Sequence, residues 1–202
     1  MTEKQNKTEF KTRNSGLKTV FLYFAEAARV VLISLAIILP VRYFLIQPFY
    51  VKGASMEPNF YDHEYLIIDE ISYRFHEPVR GDIVVFRYPL NPGEFFIKRV
   101  VGLPGEEVEV QDGRVYVTPA GGQEKLALSE SYLPSGFTNG NQKVKLSNGE
   151  YFVMGDNRLS SLDSRSFGPV SRTNIVGRVW LRGWPLERFA AFVAPAYNII
   201  KN

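Results

Sequence analysis

Ser55 is the first residue whose type and surroundings suggest chemistry. It lies in the segment VKGASMEPN, residues 51–59, just after a strongly apolar stretch. Gly53 permits backbone angles that larger residues resist, and Pro58 restricts both its own φ and the residue before it. The local sequence therefore predicts an exposed, rigid turn that presents the Ser55 hydroxyl. A serine that only forms a turn would show the same pattern.

Lys98 interrupts an apolar run, FFIKRVV at residues 95–101. Strand alternation places it on the same face as Phe96 and Val100. Burial among such neighbours disfavours the ammonium form, so we expect the pKa of Lys98 to fall by about two to three units, enough for the amine to act as a general base. The alternative is a lysine whose stem covers apolar surface while its ammonium group reaches water.

A third set of polar side chains follows another apolar strand, in the run GDNRLSSLDSR at residues 155–165. A surface loop has no need of so many donors and acceptors, whereas a half-buried polar network does. Asp163 and Arg165 are suited to an ion pair that holds a loop, and Ser161 is placed to hydrogen-bond an amine. An ordinary turn after a strand is the alternative.

Histidine is the usual base beside a serine nucleophile, and the chain contains two, His63 and His76. His63 is close to Ser55 in sequence, but it lies in a polar, turn-like run. Neither histidine belongs to one of the three segments above, which makes Lys98 the stronger candidate. The sequence contains no Cys, which excludes a thiolate nucleophile, a disulfide framework and a Cys-based metal site.

The N-terminal part of the chain is typical of a membrane anchor. Residues 1–19 carry five basic residues against two acidic ones, and the polar residues 1–16 predict a disordered tail. Residues 20–46 are predicted to form a transmembrane helix, with Arg42 reaching the outer interface. Basic residues beside such a segment favour a cytoplasmic N-terminus. A cleavable signal peptide, for which no small-residue cleavage site follows, and a buried soluble helix are the alternatives.

From residue 47 onward the sequence changes to short apolar runs separated by turn signals. Asp112–Gly113 between two such runs is typical of a hairpin turn. We expect a mainly β fold: the N-terminal transmembrane helix is followed by an all-β domain of short antiparallel strands over residues 47–185, arranged as a barrel or sandwich. Residues 119–149 are predicted to be a loop or small subdomain without chemistry, and residues 186–202 an apolar tail. The predicted strands are residues 65–68, 82–86, 95–101, 107–110, 114–117, 151–154 and 175–181.

Three blocks of the sequence together resemble those of bacterial type I signal peptidases. They are SMEP at 55–58, FIKR at 96–99 with GLPG at 102–105, and GDNRLSSLDSR. They occur in the family's order after an anchor, and the resemblance covers residues 20 to 185. It implies that the β domain is signal-peptidase-like, that Ser55 is the nucleophile and Lys98 the general base, that Ser161 orients the lysine amine, and that Asp163 and Arg165 form a supporting salt bridge. The positions matching the substrate-binding residues of the family are Phe49, Val51, Gly53, Met56, Phe60, Phe96 and Ile97.

The sequence departs from the family pattern at three positions. Asn59 stands where Thr is usual, and Glu106 stands where Asp is usual. Gly53 occupies a position at which some members have a serine that donates to the oxyanion, so the backbone N–H of Ser55 would carry more of that stabilisation. These departures concern the rate rather than the reaction.

The resemblance implies a membrane-bound serine endopeptidase with a Ser–Lys dyad, which removes N-terminal signal peptides from exported preproteins after small residues, at Ala-x-Ala type sites. It implies a single-pass protein of the bacterial cytoplasmic (inner) membrane with an extracytoplasmic catalytic domain. The expected partners are signal-peptide-bearing preproteins and the lipid bilayer, and we expect a monomer without metal or cofactor. Nucleic acid is not expected, because the excess positive charge lies in the tail and anchor.

Two other classes of protein are compatible with parts of this pattern. Self-cleaving repressor proteases of the SOS response resemble the same catalytic core, but they carry a DNA-binding helix-turn-helix instead of an anchor. A catalytically inactive, membrane-tethered binding domain is the second alternative. Retention of Ser55, Lys98 and Ser161 together argues against it, since a binding domain has no use for the set.

Overall fold

The computed structural model describes residues 3–40, 47–133, 137–193 and 199–200. The chain divides into two compact units, Met1–Phe44 and Leu45–Asn202. The first unit contains one helix and the second unit contains all of the strands that the structure describes.

The helix of the first unit, α1, covers Glu3–Pro40. The prediction of a disordered tail over residues 1–16 is therefore wrong from Glu3 onward. The segment is rich in Lys, Glu and Gln, which are good helix formers, and Pro40 is the only proline in α1. Within α1, the apolar stretch Thr19–Leu39 is 21 residues long, enough to cross a membrane, and its side chains are all exposed. Residues 41–46 of the predicted anchor lie outside the described residues.

The second unit is built from short antiparallel strands, which confirms the mainly β fold. The strands are β1 (Gln47–Tyr50), β2 (Tyr65–Asp69), β3 (Ile83–Tyr88), β4 (Asn91–Gly102), β5 (Glu107–Gln111), β6 (Arg114–Thr118), β7 (Leu126–Leu128), β8 (Gln142–Lys145), β9 (Glu150–Met154), β10 (Val170–Ser171), β11 (Ile175–Trp184), β12 (Ala190–Ala191) and β13 (Ile199–Ile200). An eight-stranded sheet has the order β1-β2-β11-β3-β4-β9-β10, with β12 paired to β11, and a five-stranded sheet has the order β13-β7-β6-β5-β8. Two short helices, α2 (Ser72–Phe75) and α3 (Ser164–Phe167), lie between strands.

The segment 119–149 is not one continuous loop, because β7 and β8 lie within it and belong to the five-stranded sheet. The β5–β6 hairpin of that sheet turns at Asp112 and Gly113 as predicted, with φ of 51° and 78°. Of the apolar tail predicted over residues 186–202, the structure describes 186–193, with β12, and β13 at 199–200.

The pair of strands β4 and β9 contributes to two hydrophobic cores, because successive side chains on a strand point to opposite faces. Val101 and Met154 belong to the core under the five-stranded sheet, whereas Val100 and Val153 belong to a core on the other face. A third core lies beneath the turn that carries Ser55 and is made of the buried side chains of Val51, Met56, Phe60, Leu66, Ile68, Ile83, Val85 and Val179.

The first part of β4 has one unpaired edge. Asn91–Arg99 pairs with β3, but pairing with β9 begins only at Arg99. Among the described residues, no strand pairs with the other edge of residues 91–98. Lys98 therefore lies at the point where β4 changes from pairing on one side to pairing on both.

Candidate active site

The structure brings Ser55 and Lys98, which are 43 residues apart in sequence, into direct contact. Nζ of Lys98 lies 2.8 Å from Oγ of Ser55, and it also donates to the backbone carbonyl oxygen of Ile97 at 2.8 Å. The second contact fixes the direction of the lysine amine. The geometry allows the amine, when neutral, to accept the proton of the Ser55 hydroxyl.

Lys98 is buried, with 4% of its surface exposed, and its amine lies 5.4 Å from the centre of the Phe96 ring. Desolvation lowers the pKa of Lys98 from 10.5 to about 8, although the carboxylates of Asp163 and Asp156 act in the opposite direction. Burial therefore acts on this pKa in the direction predicted from the sequence. A lysine that extends its ammonium group into water would show no such burial.

The turn that presents Ser55 is held from both sides. The backbone N–H of Gly53, where φ is +83°, donates to Oδ1 of Asp62 at 3.0 Å. The backbone N–H of Asn157 donates to the carbonyl oxygen of Ser55 at 3.0 Å, and its side-chain amide donates to that of Ala54 at 3.1 Å. The loop predicted to form a polar network thus holds the nucleophile turn by hydrogen bonds to the backbone carbonyl groups of the turn.

The same loop contains a buried ion pair between Asp163 and Arg165. Nη2 of Arg165 lies 2.7 Å from Oδ2 of Asp163, and Asp163 also accepts the backbone N–H of Gly155 at 3.0 Å. Burial alone would raise the pKa of Asp163, but these donors lower it. Ser161 has a buried hydroxyl, close enough to contribute to the lowered pKa of Asp163 but not aligned for a hydrogen bond within the described residues.

A second buried ion pair connects the strand of Lys98 to this loop. Arg99 donates to both carboxylate oxygens of Asp156, from Nε at 2.8 Å and from Nη2 at 2.6 Å. Oδ2 of Asp156 also accepts a hydrogen bond of 2.9 Å from the side-chain amide of Asn59. Asn59 therefore links the nucleophile turn to the loop.

The other two departures have structural roles as well. Glu106 lies 2.5 Å from Nη2 of Arg80 and accepts the backbone N–H of Leu103 at 2.8 Å, so it holds the turn after β4. A Cβ at Gly53 would meet no atom within 4 Å, although its positive φ favours glycine.

Ser55 and Lys98 open into a cleft of about 630 Å³ between β1 and β4. Of the residues expected to bind substrate, Phe49, Val51, Phe96 and Ile97 line it, and Gly53 does not. Met56 and Phe60 are fully buried in the core beneath Ser55, so they support the cleft rather than line it. The lining residues that sequence reasoning missed are Tyr50, Lys52, Leu66, Val85, Glu94, Phe95 and Leu162.

The histidines occupy other surroundings. Nδ1 of His63 lies 3.0 Å from Oδ2 of Asp62, on an exposed side chain whose ring contacts Tyr50. His76 is exposed at the end of α2. In the part of the chain that the structure describes, no three His, Asp or Glu side chains are grouped to hold a metal ion.

Comparison with known proteins identifies the family. The family described as "Signal peptidase, peptidase S26" matches residues 24–184. A signal peptidase I of Leptolyngbya laminosa is 39% identical over 180 residues, covering 84% of each chain. A probable signal peptidase I-2 of Synechocystis sp. is 35% identical over 195 residues, covering 93% of this chain and 84% of that protein. A signal peptidase I of Bacillus amyloliquefaciens is 35% identical over 188 residues, covering 88% of this chain and 92% of that protein.

The chain belongs to the S26 signal peptidase family, which confirms the resemblance. It is accordingly a hydrolase, a peptidase of the class that removes signal peptides. A solved structure of a signal peptidase I from Enterococcus faecalis V583 is 38% identical, covers 51% of this chain and 97% of that chain, and superposes with a TM-score of 0.42.

Proposed function

We propose that this signal peptidase cleaves preproteins with a Ser–Lys dyad in which Ser55 is the nucleophile and Lys98 the general base. The observation that carries the proposal is the 2.8 Å contact between Nζ of Lys98 and Oγ of Ser55, made by a buried amine whose pKa is lowered to about 8. At that pKa a useful fraction of the amine is neutral near neutrality, which a general base requires. In this proposal the Asp163–Arg165 ion pair supports the loop beside the dyad, and Ser161 orients the lysine amine.

In the first half of the reaction, neutral Lys98 takes the hydroxyl proton while Oγ of Ser55 attacks the scissile carbonyl. The backbone N–H of Ser55 donates to no other group among the described residues, so it is available to the developing oxyanion. The ammonium group of Lys98 then gives its proton to the leaving amine. The products of this half are the free mature chain and an ester between Ser55 and the signal peptide.

In the second half, the neutral amine of Lys98 takes a proton from a water molecule that attacks the ester. Collapse of the tetrahedral intermediate breaks the bond to Oγ, which recovers its proton from Lys98. The signal peptide leaves with a free carboxylate, and no metal or cofactor takes part.

The cleft suggests how the substrate binds. The unpaired edge of residues 91–98 of β4 offers backbone groups to an extended chain, so we propose that the residues before the cleavage site add as a strand there. The residues that line the cleft include the apolar side chains of Phe49, Val51 and Ile97. We propose that they leave room for small residues at the −1 and −3 positions, as at Ala-x-Ala type sites.

The location of the enzyme is also a proposal. Thr19–Leu39 is apolar, exposed and long enough to span a bilayer once. The five basic residues of segment 1–19 favour a cytoplasmic location for that segment, so we propose that the β domain lies on the outer side of the bacterial cytoplasmic membrane. We propose that the protein acts there as a monomer.

The test is cleavage of a purified preprotein by the full-length protein in detergent. Wild type should release a mature chain whose N-terminus, determined by mass spectrometry, follows a small residue, while Ser55→Ala and Lys98→Ala should release none. Ser147→Ala, a matched change at an exposed serine in the turn between β8 and β9, should behave as wild type. Substantial cleavage by Ser55→Ala would refute the assignment of the nucleophile.

A further inference from the structure

The chain between β7 and β8 contacts each of the elements that carry the proposed chemistry. Two stretches are involved, residues 130–133 and 137–139, named here the bridging segment. Its backbone and side chains contact the nucleophile turn at Asn59, the base strand at Arg99, and the site loop at Arg158 and Arg165. Sequence reasoning assigned no chemistry to this part of the chain.

The principal contact is an ion pair between Glu130 and Arg158. The guanidinium group donates to both carboxylate oxygens, from Nη1 to Oε2 at 2.8 Å and from Nη2 to Oε1. The side chains of Arg158 and Glu130 are 2% and 5% exposed. Arg158 also donates to Oγ1 of Thr138 in the same segment. Bidentate geometry fixes the plane of the guanidinium as well as its position.

Arg158 also contacts the backbone of Gly155, which packs against Ser55. Its Nε donates to the carbonyl oxygen of Gly155 at 3.1 Å. A Cβ at Gly155 would lie 2.2 Å from Oγ of Ser161 and 2.4 Å from the carbonyl oxygen of Ser55, so the backbone here is in close contact with both serines. A shift of Arg158 would therefore displace the backbone that holds Ser55.

Tyr132, also in the bridging segment, contacts the base strand and the nucleophile turn. Its ring lies 3.9 Å from the guanidinium carbon of Arg99, the residue after Lys98. Its carbonyl oxygen accepts a hydrogen bond of 3.2 Å from the side-chain amide of Asn59. The bridging segment therefore contacts the nucleophile turn, the base strand and the site loop within a few residues.

We propose that Glu130 is a positioning residue for the cleavage reaction, acting through Arg158 and Gly155 on the placement of Ser55 relative to Lys98. The proposal rests on the proposed Ser–Lys mechanism. Glu130 does not line the cleft, so it should affect the chemical step and leave substrate binding unchanged. Burial disfavours the charged guanidinium, but Glu130 outweighs that effect and raises the pKa of Arg158. Loss of the carboxylate therefore leaves a buried cation without its partner.

The experiment measures kcat and KM for a preprotein with the full-length protein in detergent, at a pH where wild-type activity has reached its plateau. The variants are Glu130→Ala and Glu130→Gln, the second of which keeps the shape and part of the hydrogen bonding. Glu109→Ala is the matched control, because it removes a carboxylate on β5 whose partner, Lys125 at 2.7 Å, has a side chain that is 37% exposed. Rates are normalised to the folded fraction, determined from thermal unfolding followed by circular dichroism.

We expect Glu130→Ala to lose about tenfold or more in kcat with an unchanged KM, because small misplacement of reacting groups has effects of this size. Glu130→Gln should lie between Glu130→Ala and wild type, and Glu109→Ala should match wild type. A kcat of the folded Glu130→Gln and Glu130→Ala variants within about threefold of the control would overturn the proposal, as would a loss confined to KM. If Glu130→Ala does not fold, Glu130→Gln alone decides. Equal cleavage by wild type and Ser55→Ala would instead refute the proposed function.

Discussion

Gly155 and the carbonyl oxygen of Ser55 are in such close contact that a Cβ at position 155 would lie 2.4 Å from that oxygen. The same Cβ would lie 2.2 and 2.6 Å from Oγ and Cβ of Ser161. Real Cβ atoms do not approach other atoms so closely, and the first contact is with backbone, which cannot rotate away. The glycine that opens the GDNR run is therefore required by the packing of the nucleophile turn.

Gly155→Ala should reduce kcat by about a hundredfold or more, since the added methyl group must push Ser55 and Ser161 apart. The measurement is preprotein cleavage, with far-UV circular dichroism to establish that the domain is folded. Gly183→Ala serves as control, because its Cβ would meet no atom nearer than 3.9 Å. Equal activity of the two variants would show that the nucleophile turn tolerates the shift.

The rate of cleavage should rise with pH through the pKa of Lys98, about 8. The base must be neutral, so kcat/KM should increase about tenfold between pH 7 and pH 9. Lys98→Arg should be inactive over this range, because a guanidinium group stays protonated. A flat profile for the wild type would mean that another group is the base. The pH profile is measured with a peptide substrate that has no ionisable side chains near the cleavage site, so that ionisation of the substrate does not contribute.

The stability of the fold should also depend on pH through the ionisation of Lys98. Between about pH 8 and 10.5 the unfolded chain binds more protons at Lys98 than the folded one, so the contribution of Lys98 to the free energy of unfolding rises with pH in this window. Below pH 8 the contribution of Lys98 to the free energy of unfolding no longer changes with pH. It is unfavourable there by about 3 kcal/mol, which corresponds to the full shift of its pKa. Lys98→Met should therefore be inactive but at least as stable as wild type at pH 7. Guanidinium unfolding followed by tryptophan fluorescence at pH 7 and pH 10 checks this, and the difference between the two proteins should shrink at the higher pH.

Removal of Arg165 should destabilise the domain, because Asp163 would keep a buried charge without its cation. Asp163 has no exposed side-chain surface and Arg165 only 10%. Arg165→Gln should lower the free energy of unfolding by about 3 kcal/mol. Lys143→Gln, at an exposed ion pair with Glu107, should leave it unchanged. If the two variants unfold alike, the Asp163–Arg165 pair does not hold the loop.

The topology of the anchor can be tested in spheroplasts. Protease added outside should digest the chain after residue 47, while a tag at residue 1 stays protected, because the basic N-terminal segment favours the cytoplasm. Immunoblotting for the tag and for the β domain distinguishes the two ends, and detergent lysis should expose both. Protection of the β domain with digestion of the tag would reverse the proposed orientation.

The strands with clear alternation and strong turn signals could be predicted from the sequence. The hairpin at Asp112 and Gly113 is one example, since both residues adopt the positive φ that the turn requires. The short strands β7 and β8 have too few residues for a periodic pattern, and β7 is positioned by pairing with β6 and β13. Likewise, no pattern in the sequence around Glu130 predicts its ion pair with Arg158, which is 28 residues away. Ion pairs of this kind depend on the tertiary fold.

The position of Lys98 on β4 could also be predicted from the sequence, because strand alternation places it on the same face as Phe96 and Val100. Its contact with Ser55 could not be derived from spacing, because the two residues come from different parts of the second unit. The blocks of sequence that surround them supplied that link through family resemblance. The distances and the lining of the cleft depend on the tertiary fold, and Met56 and Phe60 show that residues close in sequence to those lining a cleft can lie entirely beneath it.

The open edge of β4 has a consequence for solubility. An edge that accepts one extended chain can accept any other, including the same strand of a second molecule, which is how sheets aggregate. The stretch before Lys98 contains Pro92, which has no N–H to donate, and Glu94, whose charge repels its own copy. Both residues are exposed. Protection against unwanted strand pairing is thus located at the entrance of the cleft, several residues away from the groups that react.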